Sequence, residues 1–296
     1  MNLHATNRRM FLKCAGAAAA GSLLPTRVLQ AAAQHRIDKL GVQLYTVREL
    51  MKDDFEGTIA KVAQIGYQEV EFAGYFGRSA AQVKAVLEKN RLKTPSTHVQ
   101  YDELDDQFPS VVEFSKTIGL EYIICAWIPE EPRKSPDIWK QASDKFNRCG
   151  AQAKVAGMQF GYHNHWFEFL PTNGKLPYED LLRLCDPKLV KMEMDLCWIK
   201  VAGADPLKYF NEYPGRFPLV HVKDVKTMPK VTYGGAQNFG DTADVTEVGG
   251  GLIGWKQIFA QADKAGIKHY IVEHDYPKQP LESIKTSYDY LTNLRF

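Results

Sequence analysis

Two histidines two residues apart, His163 and His165, stand in the stretch GYHNHWFEF among aromatic side chains, and a carboxylate, Glu168, follows them. Imidazole nitrogens and carboxylate oxygens are the donors that hold a divalent cation, so this stretch is either part of a metal site or a polar strand end. Three more such donors lie downstream: Asp195 in VKMEMD, His221 in LVHV and Glu273 in VEHD. Taken singly, each reads as a hydrogen-bonded residue. Taken as a set they are too many charged groups to desolvate without a partner, and one shared cation would satisfy them all.

The elements that must carry these residues are legible in the periodicity. From residue 38 onward, short β-branched or aromatic runs alternate with longer amphipathic ones, eight times over. The strand candidates are KLGVQLY, YQEVEFA, KTPSTHV, EYIICAW, MQFGYHNH, LVKMEMD, PLVHVKD and HYIVEHD. Helical runs such as FEGTIAKVAQIG and FPSVVEFSKTIG follow them, and glycines such as Gly66 and Gly119 close these helices. Eight strand–helix units in about 260 residues predict one α/β domain, a (β/α)8 TIM barrel over residues 34–296. No G-x-G-x-x-G follows the first strand, which disfavours a dinucleotide fold. Chemistry in such a barrel sits where the strands end. Those ends bear Glu71, His98, His163, His165, Asp195, His221 and Glu273, with Trp127, Trp166 and Trp198 at or just past them, either capping the core or offering aromatic faces on which a sugar ring would stack. Lys223 and Asp224 follow His221 as candidates for substrate contact or a rim salt bridge. A long Gly- and Thr-rich connection after the seventh strand reads as a binding loop, with Glu247 as its substrate-binding candidate.

Composition narrows the class. A net charge of +2 with acids and bases interspersed gives no field that would gather nucleic acid. Cys125, Cys149, Cys185 and Cys197 form no C-x-x-C pair, so neither a zinc knuckle nor a disulfide framework is expected. Residues 1–33, with Arg8 and Arg9 before a short Ala/Gly/Leu stretch, are similar to a twin-arginine signal peptide. That predicts a periplasmic or extracellular protein that meets the membrane only during export, an expectation tested by exchanging both arginines for lysine and following export.

The motifs HNHWFEF, MEMDLCW, HVKD and VEHD resemble the xylose-isomerase-like sugar phosphate isomerase/epimerase superfamily, which includes family 2 apurinic endonucleases. The resemblance covers essentially everything after residue 33. It implies one divalent ion, Mn2+ first, with Mg2+, Co2+, Zn2+ or Fe2+ as alternatives. The ligands it implies are Asp195, His221, Glu273 and a fifth-strand carboxylate. This chain departs from the family there, because His163 stands where many relatives carry glutamate. Strict alternation puts Glu168 on the opposite face from both histidines, so Glu168 reaches the ion only if the chain bends. The expectation adopted is Glu168 as fourth ligand, with His163 the other choice. Glu168 and Glu273 are then the proton-transfer groups, with His165 and His163 as alternatives, and Glu71, His98, Trp127, Lys223 and Glu247 touch substrate. The implied activity is a sugar isomerase or epimerase working through an enediolate. The alternatives are a lyase or hydratase acting on a 3-keto-glycoside and a non-catalytic carbohydrate-binding protein.

Overall fold

The computed structural model describes residues 35–172, 174–228 and 244–296. The signal peptide expected at 1–33 and the middle of the long connection, 229–243, lie outside the described residues. Eight parallel strands, Leu40–Gln43, Glu69–Phe72, Lys93–Val99, Tyr122–Cys125, Gln159–His163, Val190–Asp195, Leu219–Val222 and His269–Val272, pair in sequence order, and the last pairs with the first to close the barrel. Each lies within a run read from the sequence, and the third matches its run KTPSTHV from end to end. Helices follow every strand, the longest being Ile138–Val155 and Pro280–Asn293, and they bury an apolar stripe against the outside of the sheet.

Alternation along the strands divides that outer core from the barrel interior. Tyr122, Ile124, Leu219 and Ile271 form an apolar cluster of their own, apart from the main core. Gly161 leaves room for it, since a Cβ there would meet Ile124 Cδ1 at 2.5 Å. Two residues further along the seventh and eighth strands, the same face carries His221 and Glu273. Register then aligns the donors: Asp195 lies opposite His221, and His163 opposite Glu193. The four cysteines among the described residues, Cys125, Cys149, Cys185 and Cys197, are buried free thiols. Among the described residues, no helix is long and apolar enough to cross a membrane.

Candidate metal centre

His163 is the first donor, and its ring is fixed from behind. Nδ1 donates to the carbonyl of Ala126 at 2.9 Å, leaving Nε2 buried and without a hydrogen-bond partner. Asp195 is held in a comparable way. It caps the helix Leu196–Val201, its Oδ1 accepting from the amides of Cys197 at 2.9 Å and Trp198 at 2.8 Å, so that only Oδ2 is left over. That oxygen has no hydrogen bond, although it lies 3.4 Å from His163 Nε2 and forms an ion pair with Lys223 Nζ at 3.0 Å. The third donor, His221, places Nδ1 2.8 Å from Glu273 Oε2.

His163, Asp195, His221 and Glu273 offer one atom each within 4.8 Å of one another, and all four residues are buried. A tetrahedral ion with bonds of about 2.1 Å has edges of about 3.4 Å, so this spread needs only a small contraction. Two orphaned buried atoms, His163 Nε2 and Asp195 Oδ2, point at the shared space, and both are donors that a divalent ion takes.

Burial alone would raise the Asp195 carboxyl, but the Lys223 ammonium and the His163 ring outweigh it and hold it at about 2. Burial opposes ionisation of Glu273 too, yet Lys223 and His221 together keep its carboxyl well below the usual range. His221 is pushed well above an ordinary imidazole because Glu193 and Glu273 overcome its burial. His163 and His165 are lowered by burial, His165 strongly, so both rings are neutral.

Glu168 is placed apart from the other expected ligands. The chain leaves the fifth strand into a 3-10 turn, Phe167–Phe169, which carries Glu168 back behind the strand. Its carboxylate accepts from the Tyr162 hydroxyl at 2.5 Å and the His165 amide at 2.9 Å and is fully buried there. It is not among the converging donors; His163, on the inward face, is the fifth strand's contribution. Glu247 is also placed elsewhere, accepting from the Thr246 hydroxyl at 3.0 Å and lining no part of the mouth cavity.

The remaining expected residues divide by depth. A cavity of about 560 Å³ opens over the donors, lined by His98, Trp127, His163, His165, Trp198 and Glu273 among others. His165 sits in an aromatic box, parallel to Phe167 at 5.6 Å and Trp198 at 6.2 Å. Lys223 does not reach the cavity; it is buried, with its ammonium 5.1 Å from the Trp198 ring centroid and contacting Asp195, Glu273 and Asp275. Asp224 points the other way and makes no salt bridge with it. Glu71 lies below the donors and is fully buried. Glu193, missed in the sequence, joins it: Glu71, His98, Glu193 and His221 form a second group of converging donors, with His98 Nε2 2.7 Å from Glu193 Oε2. The signal was present in MEMD, since Glu193 and Asp195 are two residues apart and face the same way.

A closed (β/α)8 barrel with histidines and carboxylates gathered at the C-terminal ends of its strands has its candidate site where α/β barrels of this class place their chemistry. The chain belongs to the xylose isomerase-like TIM barrel family, whose model matches residues 59–294. It is similar to an inosose dehydratase from Lacticaseibacillus casei, 26% identical over 192 residues, 58% of this chain and 64% of that protein. It is also similar to one from Clostridium beijerinckii, 22% identical over 195 residues, 59% of this chain and 65% of that protein. The match therefore spans less than two thirds of these relatives. Among solved structures, a sugar phosphate isomerase/epimerase from Parabacteroides distasonis ATCC 8503 superposes with a TM-score of 0.71 at 25% identity, covering 86% of this chain and 98% of that one. The IOLI protein, solved with a bound zinc atom, shares the fold with a TM-score of 0.64 at 16% identity, covering 85% of this chain and 95% of that one.

Proposed function

We propose that the protein is a divalent-metal-dependent lyase of the dehydratase type, removing a proton next to a carbonyl of a sugar or keto-sugar and expelling a β-hydroxyl or β-alkoxy group. The observation that carries the reading is the convergence of His163 Nε2, Asp195 Oδ2, His221 and Glu273 beneath a sugar-sized cavity. Two imidazoles beside two carboxylates suit Zn2+, Co2+ or Fe2+ better than the Mn2+ expected when Glu168 was the ligand. Such an ion would polarise the substrate carbonyl and stabilise negative charge developing on it.

The chain's own groups then divide the work. Glu273 is kept ionised by Lys223 and His221, so it suits holding a cation more than taking a proton. His165 is neutral, lines the cavity and is fixed in its aromatic box, which leaves it as the base for the α-proton and the acid for the leaving oxygen. Trp127 and Trp166 offer faces for the sugar ring. Elimination is preferred to the isomerisation read first from the sequence because the similar curated proteins are dehydratases.

Zinc-, cobalt- or iron-loaded protein should convert an inosose or a 3-keto-glycoside with release of water or alcohol, followed by proton NMR and by the absorbance of the unsaturated ketone. A product isomeric with the substrate and carrying solvent deuterium, with no elimination, would overturn this reading in favour of an isomerase.

A further inference from the structure

We infer that Glu71 is a positioning residue for the metal centre: its carboxylate holds Nε2 of His221 as an N–H donor, so that Nδ1 is the nitrogen with a lone pair to give. The inference rests on the metal reading above and adds which atom of the shared histidine faces the ion. Once it ligates a cation, even a histidine that is otherwise held protonated is a neutral imidazole, with one lone pair to give and one N–H. His221 stands between two carboxylates, with Nε2 2.7 Å from Glu71 Oε2 and Nδ1 2.8 Å from Glu273 Oε2. It is also common to both groups of donors, the upper one with His163, Asp195 and Glu273 and the lower one with Glu71, His98 and Glu193. One ring cannot serve both without losing both protons, so the tautomer chooses between them.

Three features make the choice. First, Glu71 is anchored: Gln43 Nε2 donates to its Oε2 at 2.7 Å, and both residues are fully buried. Second, the imidazole of the lower group is engaged and that of the upper is not: His98 Nε2 lies 2.7 Å from Glu193 Oε2, whereas His163 Nε2 has no hydrogen-bond partner; unpartnered carboxylate oxygens occur in both groups, Asp195 Oδ2 above and Glu71 Oε1 and Glu193 Oε1 below. Third, two of the upper donors, His163 and Asp195, share one design, each held on its far side so that one atom remains. Ala126 does this for His163, the helix amides of Cys197 and Trp198 do it for Asp195, and Glu71 is the matching brace for His221. A carboxylate brace also makes the imidazole a stronger ligand than a backbone carbonyl does.

The test uses the full chain with zinc. Long-range proton–nitrogen NMR of histidine-labelled protein with one equivalent of zinc should show His221 protonated at Nε2 and metal-bound at Nδ1. Glu71→Gln should still take one equivalent, bound about 10–100-fold more weakly, with the His163 signals unchanged. Gln43→Leu, which spares the carboxylate, should weaken binding in the same direction by less, and it serves if Glu71→Gln does not fold. Zinc on Nε2 of His221, a second equivalent lost in Glu193→Gln, or wild-type affinity in Glu71→Gln would each overturn the inference. If Asp195→Asn loses the zinc while Glu71→Gln does not weaken it, this inference alone fails; if the wild type binds no zinc, the metal reading fails and takes it along.

Discussion

His163 and Glu168 compete for one proposed role, and they are placed differently by local geometry that alternation describes only while the chain remains a strand. His163 is the last strand residue and keeps its inward face, whereas Glu168 sits past the point where the backbone turns into a 3-10 helix. The sequence could show that Glu168 needed a bend; it could not show that the bend leads to the Tyr162 side. His163→Asn should therefore abolish tight metal binding, and Glu168→Gln should retain it, as read by metal content after dialysis. The buried Glu168 carboxyl is pushed up from 4.5 to about 7, with desolvation as the main cause. Because its folded value is raised, the stability it contributes is present below about pH 4.5 and lost as pH climbs through about 7, a change of about 3 kcal/mol. The amide introduced by Glu168→Gln does not titrate. The stability deficit of that variant should then shrink by up to that amount between pH 5 and pH 8 in urea unfolding, and a deficit independent of pH would refute the assignment.

Elements were more legible than the residues between them. All eight strands announced themselves because parallel strands buried on both faces read as short apolar runs bounded by turns. The seventh strand shows what pattern alone leaves out. His221, Leu219 and Lys223 face inward by alternation, which makes Asp224 an outward residue, yet nothing in the sequence says what it meets. Its carboxylate accepts from the amides of Val225 at 2.9 Å, Gly249 at 3.0 Å and Ile253 at 3.1 Å and from the Trp255 indole at 3.0 Å, pinning the return of the long connection against the helix Trp255–Phe259. The partners beyond Val225 are 25 to 31 residues away. Only folding brings them together. Asp224→Asn replaces an acceptor with a donor amid four donors, so two buried N–H groups lose their partner, and unfolding in urea should show a loss of about 2–4 kcal/mol. A loss under about 1 kcal/mol would mean that water replaces the carboxylate and the clamp is not structural.

At the scale of the molecule, the barrel gathers more buried negative charge than its own cations balance, and that imbalance ties the metal to stability. Lys223 is the permanent counter-charge, its ammonium within 3.2 Å of Asp195, Glu273 and Asp275. It lets the metal-free protein stay folded, because a buried cluster of carboxylates without any cation would lose about 3–5 kcal/mol. A divalent ion bound only by the folded form adds to this by mass action, about 2.7 kcal/mol at a hundredfold excess over its dissociation constant. For a chain of this size that corresponds to roughly 5–10 °C in melting temperature. Chelation should lower the wild-type midpoint by that much without unfolding it at 25 °C, and Asp195→Asn should be indifferent to chelator. Lys223→Met separates the two sources of charge. With metal it should melt only modestly below wild type, and without metal the gap should widen, since then only the neighbouring histidines are left to offset Asp195 and Glu273. Scanning calorimetry of both proteins with and without chelator measures the four midpoints, and equal chelator shifts in wild type and Lys223→Met would show that the ammonium and the ion do not serve the same carboxylates.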